Sequence, residues 1–160
     1  YIYEISEEGE YSLYSTCTRN SSFITSLDWS KDSLMIQTNS GSHEKLYYNV
    51  AEKKSAPSCG PAEWATMTSR LSWNTAGAYP EGCGDMTHIN SVWEQDNLLL
   101  SGDDWGLINV FNAPCMDHTH KSRSYAGHSA FITRICANED ASKLFSLGGN
   151  DQTIIQWRRK

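Results

Sequence analysis

No apolar run in this chain of 160 residues approaches the ~20 that a helix needs to cross a bilayer, and no signal-peptide pattern opens it. Positive charge is also scarce. Thirteen Lys and Arg against nineteen Asp and Glu leave a net charge of −6, so the chain as a whole offers no electrostatic footprint for nucleic acid or an acidic membrane. Its one positive cluster, Arg158-Arg159-Lys160, reads as the solvated end of a last strand. A Gly-rich phosphate loop and a Gly-x-Ser-x-Gly elbow are both missing. The five cysteines, Cys17, Cys59, Cys83, Cys115 and Cys136, are odd in number, scattered and never in a CxxC arrangement, which points to a reduced, cytosolic setting rather than a disulfide framework. Cys136 falls on the apolar side of a strand pattern and reads as a small core hydrophobe.

What is present is a repeated set of short β-prone runs, and six Trp and eight Tyr suit sheets better than helices. The clearest copy comes last: Phe131 to Cys136, Leu144 to Leu147 and Thr153 to Trp157, separated by punctuation such as Gly148-Gly149-Asn150-Asp151. A Gly127-His128 pair precedes it, and Asp151 stands six residues before Trp157. In β-propeller repeats a His, an Asp and a Trp at this spacing cross-link the strands of one blade by buried hydrogen bonds. The Ser or Thr that usually completes the link falls, on this reading, at Leu147, so that one link is expected to be missing.

Two earlier copies align with it. Ser22-Phe23-Ile24-Thr25-Ser26-Leu27 resembles Ser129-Ala130-Phe131-Ile132-Thr133-Arg134-Ile135, and His88-Ile89-Asn90-Ser91-Val92-Trp93 is a third version. The anchor isoleucines, Ile24, Ile89 and Ile132, are 65 and 43 residues apart, and the second step is the propeller period of ~40–45 residues. The extra length of the first step is assigned to an insert in the Pro/Gly-rich region 51–84. In these copies Tyr48 and Phe111 stand where Trp157 stands in the last, and Ser42 occupies the usual Asp position, so these blades are expected to rest more on packing than on the hydrogen-bonded cross-link. A helical alternative, suggested by pairs such as Ile24/Leu27, fails because the runs are short, bounded by Gly, Asn and Asp, and never extend the spacing to i+7.

The expected fold is therefore all-β: a partial WD40-type β-propeller of about three and a half four-stranded blades. Residues 1–17 form the end of one blade, 20–71 a blade with the insert, 85–125 a further blade, and 127–160 a last blade lacking its outer strand. Tyr1 to Ile5 begin directly on a strand, which predicts missing upstream blades and an upstream segment that supplies the outer strand. Unpaired edges should make the chain stable only with the rest of its propeller.

The insert contains Glu63-Trp64-Ala65-Thr66-Met67-Thr68-Ser69-Arg70-Leu71, followed by Gly77-Ala78-Tyr79-Pro80-Glu81-Gly82. This stretch resembles the echinoderm microtubule-associated protein-like family, with Tyr79 where that family often has Trp. Asn39-Ser40-Gly41, Gly102-Asp103-Asp104, Gly127-His128-Ser129 and Gly148-Gly149 with Asp151 extend the resemblance along the chain. It implies the C-terminal blades of a tandem propeller in a non-catalytic, microtubule-associated scaffold of the cytoplasmic cytoskeleton or the ciliary axoneme. Tubulin and the remaining blades of its own propeller would be its partners. A general WD-repeat adaptor for a non-cytoskeletal assembly is the alternative.

No enzyme, cofactor or metal is expected. Cys115-Met116-Asp117-His118-Thr119-His120 has Cys-x-x-His-x-His spacing but no second paired motif, and reads as an exposed polar loop. His128, with Asp151 and Trp157, belongs to the structural network of the last blade. The turn holding Asp103, Asp104 and Trp105 is the candidate partner surface, with the Trp105 ring either anchoring a partner or packing on a neighbouring loop.

Overall fold

The computed structural model describes residues 1–79 and 88–159. Pro80, Glu81 and Gly82 of the family-like stretch, Cys83, residues 85–87 of the third copy and Lys160 lie outside the described residues. The chain divides into two compact units, Tyr1–Ser69 and Arg70–Lys160.

In the first unit, β1 (Ile2–Ile5) and β2 (Tyr11–Ser15) form an antiparallel hairpin whose turn is closed by the Gly9 amide on the Ser6 carbonyl at 2.9 Å. A four-stranded antiparallel sheet follows in chain order: β3 (Ile24–Trp29), β4 (Met35–Ser40), β5 (Lys45–Asn49) and β6 (Lys54–Ala56). The region read as insert thus begins with the fourth strand of the blade. Three residues of mixed polarity gave β6 no periodicity by which to show itself. Ile2, Ile36 and Tyr48 make the apolar core of this unit, with Trp29, Tyr14 and Val50 packed around them.

In the second unit a short 3-10 helix, Trp73–Ala78, leads toward the next sheet. That sheet comprises β7 (Ile89–Gln95), β8 (Leu98–Asp103), β9 (Leu107–Asn112) and β10 (Arg123–Ala126), again antiparallel and in chain order. The last sheet has three strands, β11 (Ile132–Ala137), β12 (Lys143–Gly148) and β13 (Ile154–Arg158). Ile108, Ile132 and Ile135 form one buried cluster with Trp93, Leu100 and Trp157 around it. Tyr79, Val92, Leu99, Phe111 and Cys115 belong to another.

The three repeats share more than strand order. In each, the pairing of first and second strand shifts register at the same step, between Ile24 and Ser26, Ile89 and Ser91, and Ile132 and Arg134. A bulge of this kind bends the strand and re-aims its side chains. The anchor pairs Ile89/Val92 and Ile132/Ile135 are at most 3% exposed, whereas Ile24 and Leu27 are 47% and 48% exposed. Among the described residues, nothing covers the first repeat's face as the second and third are covered.

Candidate functional site

The last sheet contains the polar cross-link that the sequence predicts, and it is complete. Trp157 Nε1 donates to Ser146 Oγ at 2.8 Å, and the same oxygen lies 2.7 Å from His128 Nε2. An indole nitrogen only donates, so Ser146 accepts from Trp157; with a carboxylate, which only accepts, facing Nδ1, the ring's proton is placed on that side and Nε2 accepts from the Ser146 hydroxyl. The His128 proton then resides on Nδ1, which faces Asp151 Oδ2 at 3.0 Å and Thr153 Oγ1 at 2.9 Å. Leu147 is therefore not the missing member of the set. Ser146 and Leu147 alternate in direction along β12, and it is Ser146 that meets the His128 ring. Burial works against the Asp151 charge, but the Thr153 amide, the His128 ring and the Ser129 amide outweigh it and hold the carboxyl below its usual range. Gly148 is required there, since a Cβ would stand 1.8 Å from Asp151 Oδ1.

The other repeats close the same turn by different residues. In the first, Asn20 Nδ2 donates to Thr38 Oγ1 at 3.2 Å, a longer counterpart of the His-Ser contact. Ser42 does not leave its turn without a carboxylate. Glu44 Oε2 accepts from the Ser21 amide at 3.0 Å and from Ser40 Oγ at 2.6 Å, as Asp151 accepts from the Ser129 amide at 3.1 Å. In the middle repeat Asp103 Oδ1 accepts from the amides of Trp105 and Leu107 at 3.0 and 2.9 Å, while Oδ2 takes Asn109 Nδ2 at 3.0 Å. Each β-turn between second and third strand is thus closed by one carboxylate, delivered from a different sequence position each time.

Asp103 is consequently only 5% exposed, and its carboxylate is occupied within the turn rather than offered to a partner. Asp104 and Trp105 remain outside. The Asp104 carboxylate accepts from Asn90 Nδ2 at 2.8 Å, and its amide bonds the His88 carbonyl at 3.0 Å. Trp105 is 62% exposed, with its ring 5.1 Å from that of His88 at a 34° tilt. The ring thus leans on His88, and most of the indole stays open to solvent.

A second polar centre was not legible in the sequence. Asp28 is fully buried and receives five donors: Gln37 Nε2 at 3.1 Å, Thr66 Oγ1 at 2.7 Å, the Thr68 amide and hydroxyl at 2.8 and 2.9 Å, and the Ser69 amide at 2.9 Å. Lys31 N to Glu63 O and Ala65 N to Trp29 O lay the insert beside β3, and Trp64 stacks on Tyr47. Glu63-Trp64-Ala65-Thr66 is therefore the strap that satisfies a buried carboxylate. A sequence signal existed in Asp28 on an apolar strand, together with the Thr-x-Thr-Ser donors, but they lie some 40 residues apart.

The Cys115 to His120 stretch does not converge. Cys115 lies in the apolar core, where burial first, and then Asp117, push its thiol up to about 11. His118 Nδ1 faces the Tyr79 carbonyl at 2.8 Å and His120 Nδ1 the Asp117 carbonyl at 3.0 Å. Among the described residues no cluster of three His, Cys, Asp or Glu is placed to hold a metal. Cys136, read as a core residue, is only partly buried, because it falls beyond the inward-facing Ile132/Ile135 pair. No helix among the described residues is long and apolar enough to cross a membrane.

Comparison with known proteins extends this picture. The family model described as the echinoderm microtubule-associated protein second beta-propeller matches residues 1–159. The 77 kDa echinoderm microtubule-associated protein of Strongylocentrotus purpuratus is 40% identical over 98% of this chain and 24% of its own length. Echinoderm microtubule-associated protein-like 3 of Homo sapiens is 40% identical over 99% of this chain and 18% of its own. The chain thus spans a quarter or less of the curated relatives it matches. Among solved structures, the computationally designed Ika4 protein superposes with a TM-score of 0.64 at 14% identity, over 93% of this chain and 99% of that one. The Cps50 (Swd1) beta-propeller domain of Myceliophteria thermophila gives 0.62 at 15% identity, over 96% and 57%. At such identities the structural likeness shows the fold, a β-propeller.

Proposed function

Since this chain belongs to the echinoderm microtubule-associated protein family, within its second β-propeller, we propose that it is a non-catalytic scaffold through which the full-length protein contacts tubulin on cytoplasmic or axonemal microtubules. One observation supports this most: the chemistry-bearing side chains of the repeats are consumed in holding turns, while Trp105 is displayed. His128, whose place could suggest a general base, has both ring nitrogens engaged inside its blade. Trp105, by contrast, is held by its own amide on Asp103 and leaves an open ring beside the Asp104 carboxylate, the arrangement of an aromatic anchor at an interface. Asp103 is the support of that surface rather than part of it.

The domain reading belongs to the same proposal. Residues 127–160 form one blade, with three strands among the described residues, and residues 1–17 and 20–71 belong to separate blades. Co-sedimentation of the full-length protein with microtubules tests the function. Pelleting with microtubules above the level without them is expected; its absence would favour an adaptor role in a non-cytoskeletal assembly.

A further inference from the structure

The Trp105 turn is tied to the last strand of its sheet by a relay of three side chains. Asp103 Oδ1 holds the amides of Trp105 and Leu107, and Oδ2 accepts from Asn109 Nδ2 at 3.0 Å. Asn109 on β9 is paired with Ser124 on β10, and Ser124 Oγ lies 2.6 Å from Asn109 Oδ1. A carboxylate only accepts, so the Asn109 amide turns its nitrogen to Asp103 and its oxygen to Ser124. Ser124 therefore donates, and its hydroxyl proton is what lets one amide serve both neighbours.

β10 is open to chemistry at this point. Its four residues, Arg123–Ala126, are all exposed, and among the described residues it pairs with β9 alone. Tyr125 meets the Trp157 ring of the last sheet at 6.5 Å, so Arg123 and Tyr125 face that sheet and Ser124, between them, faces away from it. Lys121 and Arg123 stand just before Ser124 in the chain, basic side chains that suit the acidic substrate groove of a kinase.

We propose that Ser124 is a phosphorylation site whose modification releases the Trp105 turn. A protein kinase transfers the γ-phosphoryl group of ATP to Ser124 Oγ: the bond from the γ-phosphorus to its bridging oxygen breaks, the Oγ–P bond forms, the hydroxyl proton goes to the kinase's base and ADP leaves. The product has acceptor oxygens and added negative charge in place of the donating hydroxyl. Asn109 then stands between two groups that only accept, and it has one amide nitrogen to give. Turned to the phosphate, it presents Oδ1 to Asp103 and takes the donor from Oδ2. The turn that displays Trp105 loosens, which would switch off the surface proposed above; to that extent the inference rests on that reading. Exchange at the turn amides tests the device without tubulin, so the two can fail separately.

The test uses the full-length protein, with phosphoserine installed at Ser124 during synthesis, and reads amide hydrogen exchange residue by residue. The Trp105 and Leu107 amides should exchange at least about tenfold faster than in the unmodified protein, while the Ser129 amide, held by Asp151 in the last blade, should not change. Ser124→Ala removes the donor without adding an acceptor, so its turn should exchange within about threefold of the wild type. In Asn109→Ala the turn should already be fast, and phosphoserine should add nothing. Protein kinase C with ATP should place phosphate on Ser124 of the folded protein. Unchanged exchange at Trp105 and Leu107, equal acceleration by Ser124→Ala, or further acceleration by phosphoserine in Asn109→Ala would each overturn the proposal. So would faster exchange at Ser129 as well, or phosphate that reaches Ser124 only after heat unfolding.

Discussion

Asp28 Oδ1 takes both donors of Thr68, its amide at 2.8 Å and its hydroxyl at 2.9 Å, although the two residues are 40 apart in the chain. That contact turns an insertion into a fixed part of the blade. A carboxylate removed from water is tolerated only when its lone pairs are filled, and the strap brings four of the five donors that fill them.

Asp28→Ala should therefore be far more damaging than its size suggests. It takes the acceptor from two backbone amides, two hydroxyls and the Gln37 side-chain amide, and a loss of about 3 kcal/mol is expected. Thr66→Ala removes one donor only, at about 1 kcal/mol. Denaturant titration of the full-length protein, with hydrogen exchange read at residues 61–69, checks both: faster exchange there in Asp28→Ala is expected, and unchanged exchange would contradict the clip.

The cross-link of the last blade makes a sharper comparison. Ser146→Ala leaves the Trp157 indole and the His128 ring without their shared partner inside a buried site and should cost about 1–3 kcal/mol. Leu147→Thr, which would supply the missing link if Leu147 were the network position, should give no stabilisation. Thermal melts of the two variants beside the wild type decide between the assignments.

This difference shows where the sequence stopped being legible. The period, the anchor isoleucines and the Gly-His, Asp and Trp positions all rest on local spacing, and the all-β propeller fold followed from them. Ser146 was misassigned because neighbouring strand residues point to opposite faces, and spacing counted without the pairing does not show which of two adjacent positions meets the His128 ring. Glu44 and Asp103 were overlooked as equivalents of Asp151 because a carboxylate can reach the same turn amides from several backbone positions. The Asp28 centre was missed for a different reason: four of its five donors come from a segment some 40 residues away, and local spacing does not connect the two.

Glu44 gives the pH prediction. The Ser40 hydroxyl first, and the Ser21 amide next, hold its carboxyl below the usual range. A carboxyl lowered on folding adds stability above its unfolded pKa, and that contribution fades as the pH falls through the lowered folded value. Glu44→Gln should thus be less stable than the wild type near neutrality, with the gap closing on acidification. Melting temperatures of both proteins from neutral to acid pH would show it; a gap that is constant or widens toward acid would contradict the assignment.

The central claim is that the displayed face of this propeller takes part in microtubule association. Co-sedimentation of the full-length wild type beside full-length Trp105→Ala tests it most directly, with melting curves run on both. The account predicts that Trp105→Ala melts like the wild type, since the ring is mostly exposed, and pellets with microtubules several-fold more weakly, as loss of an interfacial Trp does. Equal pelleting by two equally stable proteins would contradict it.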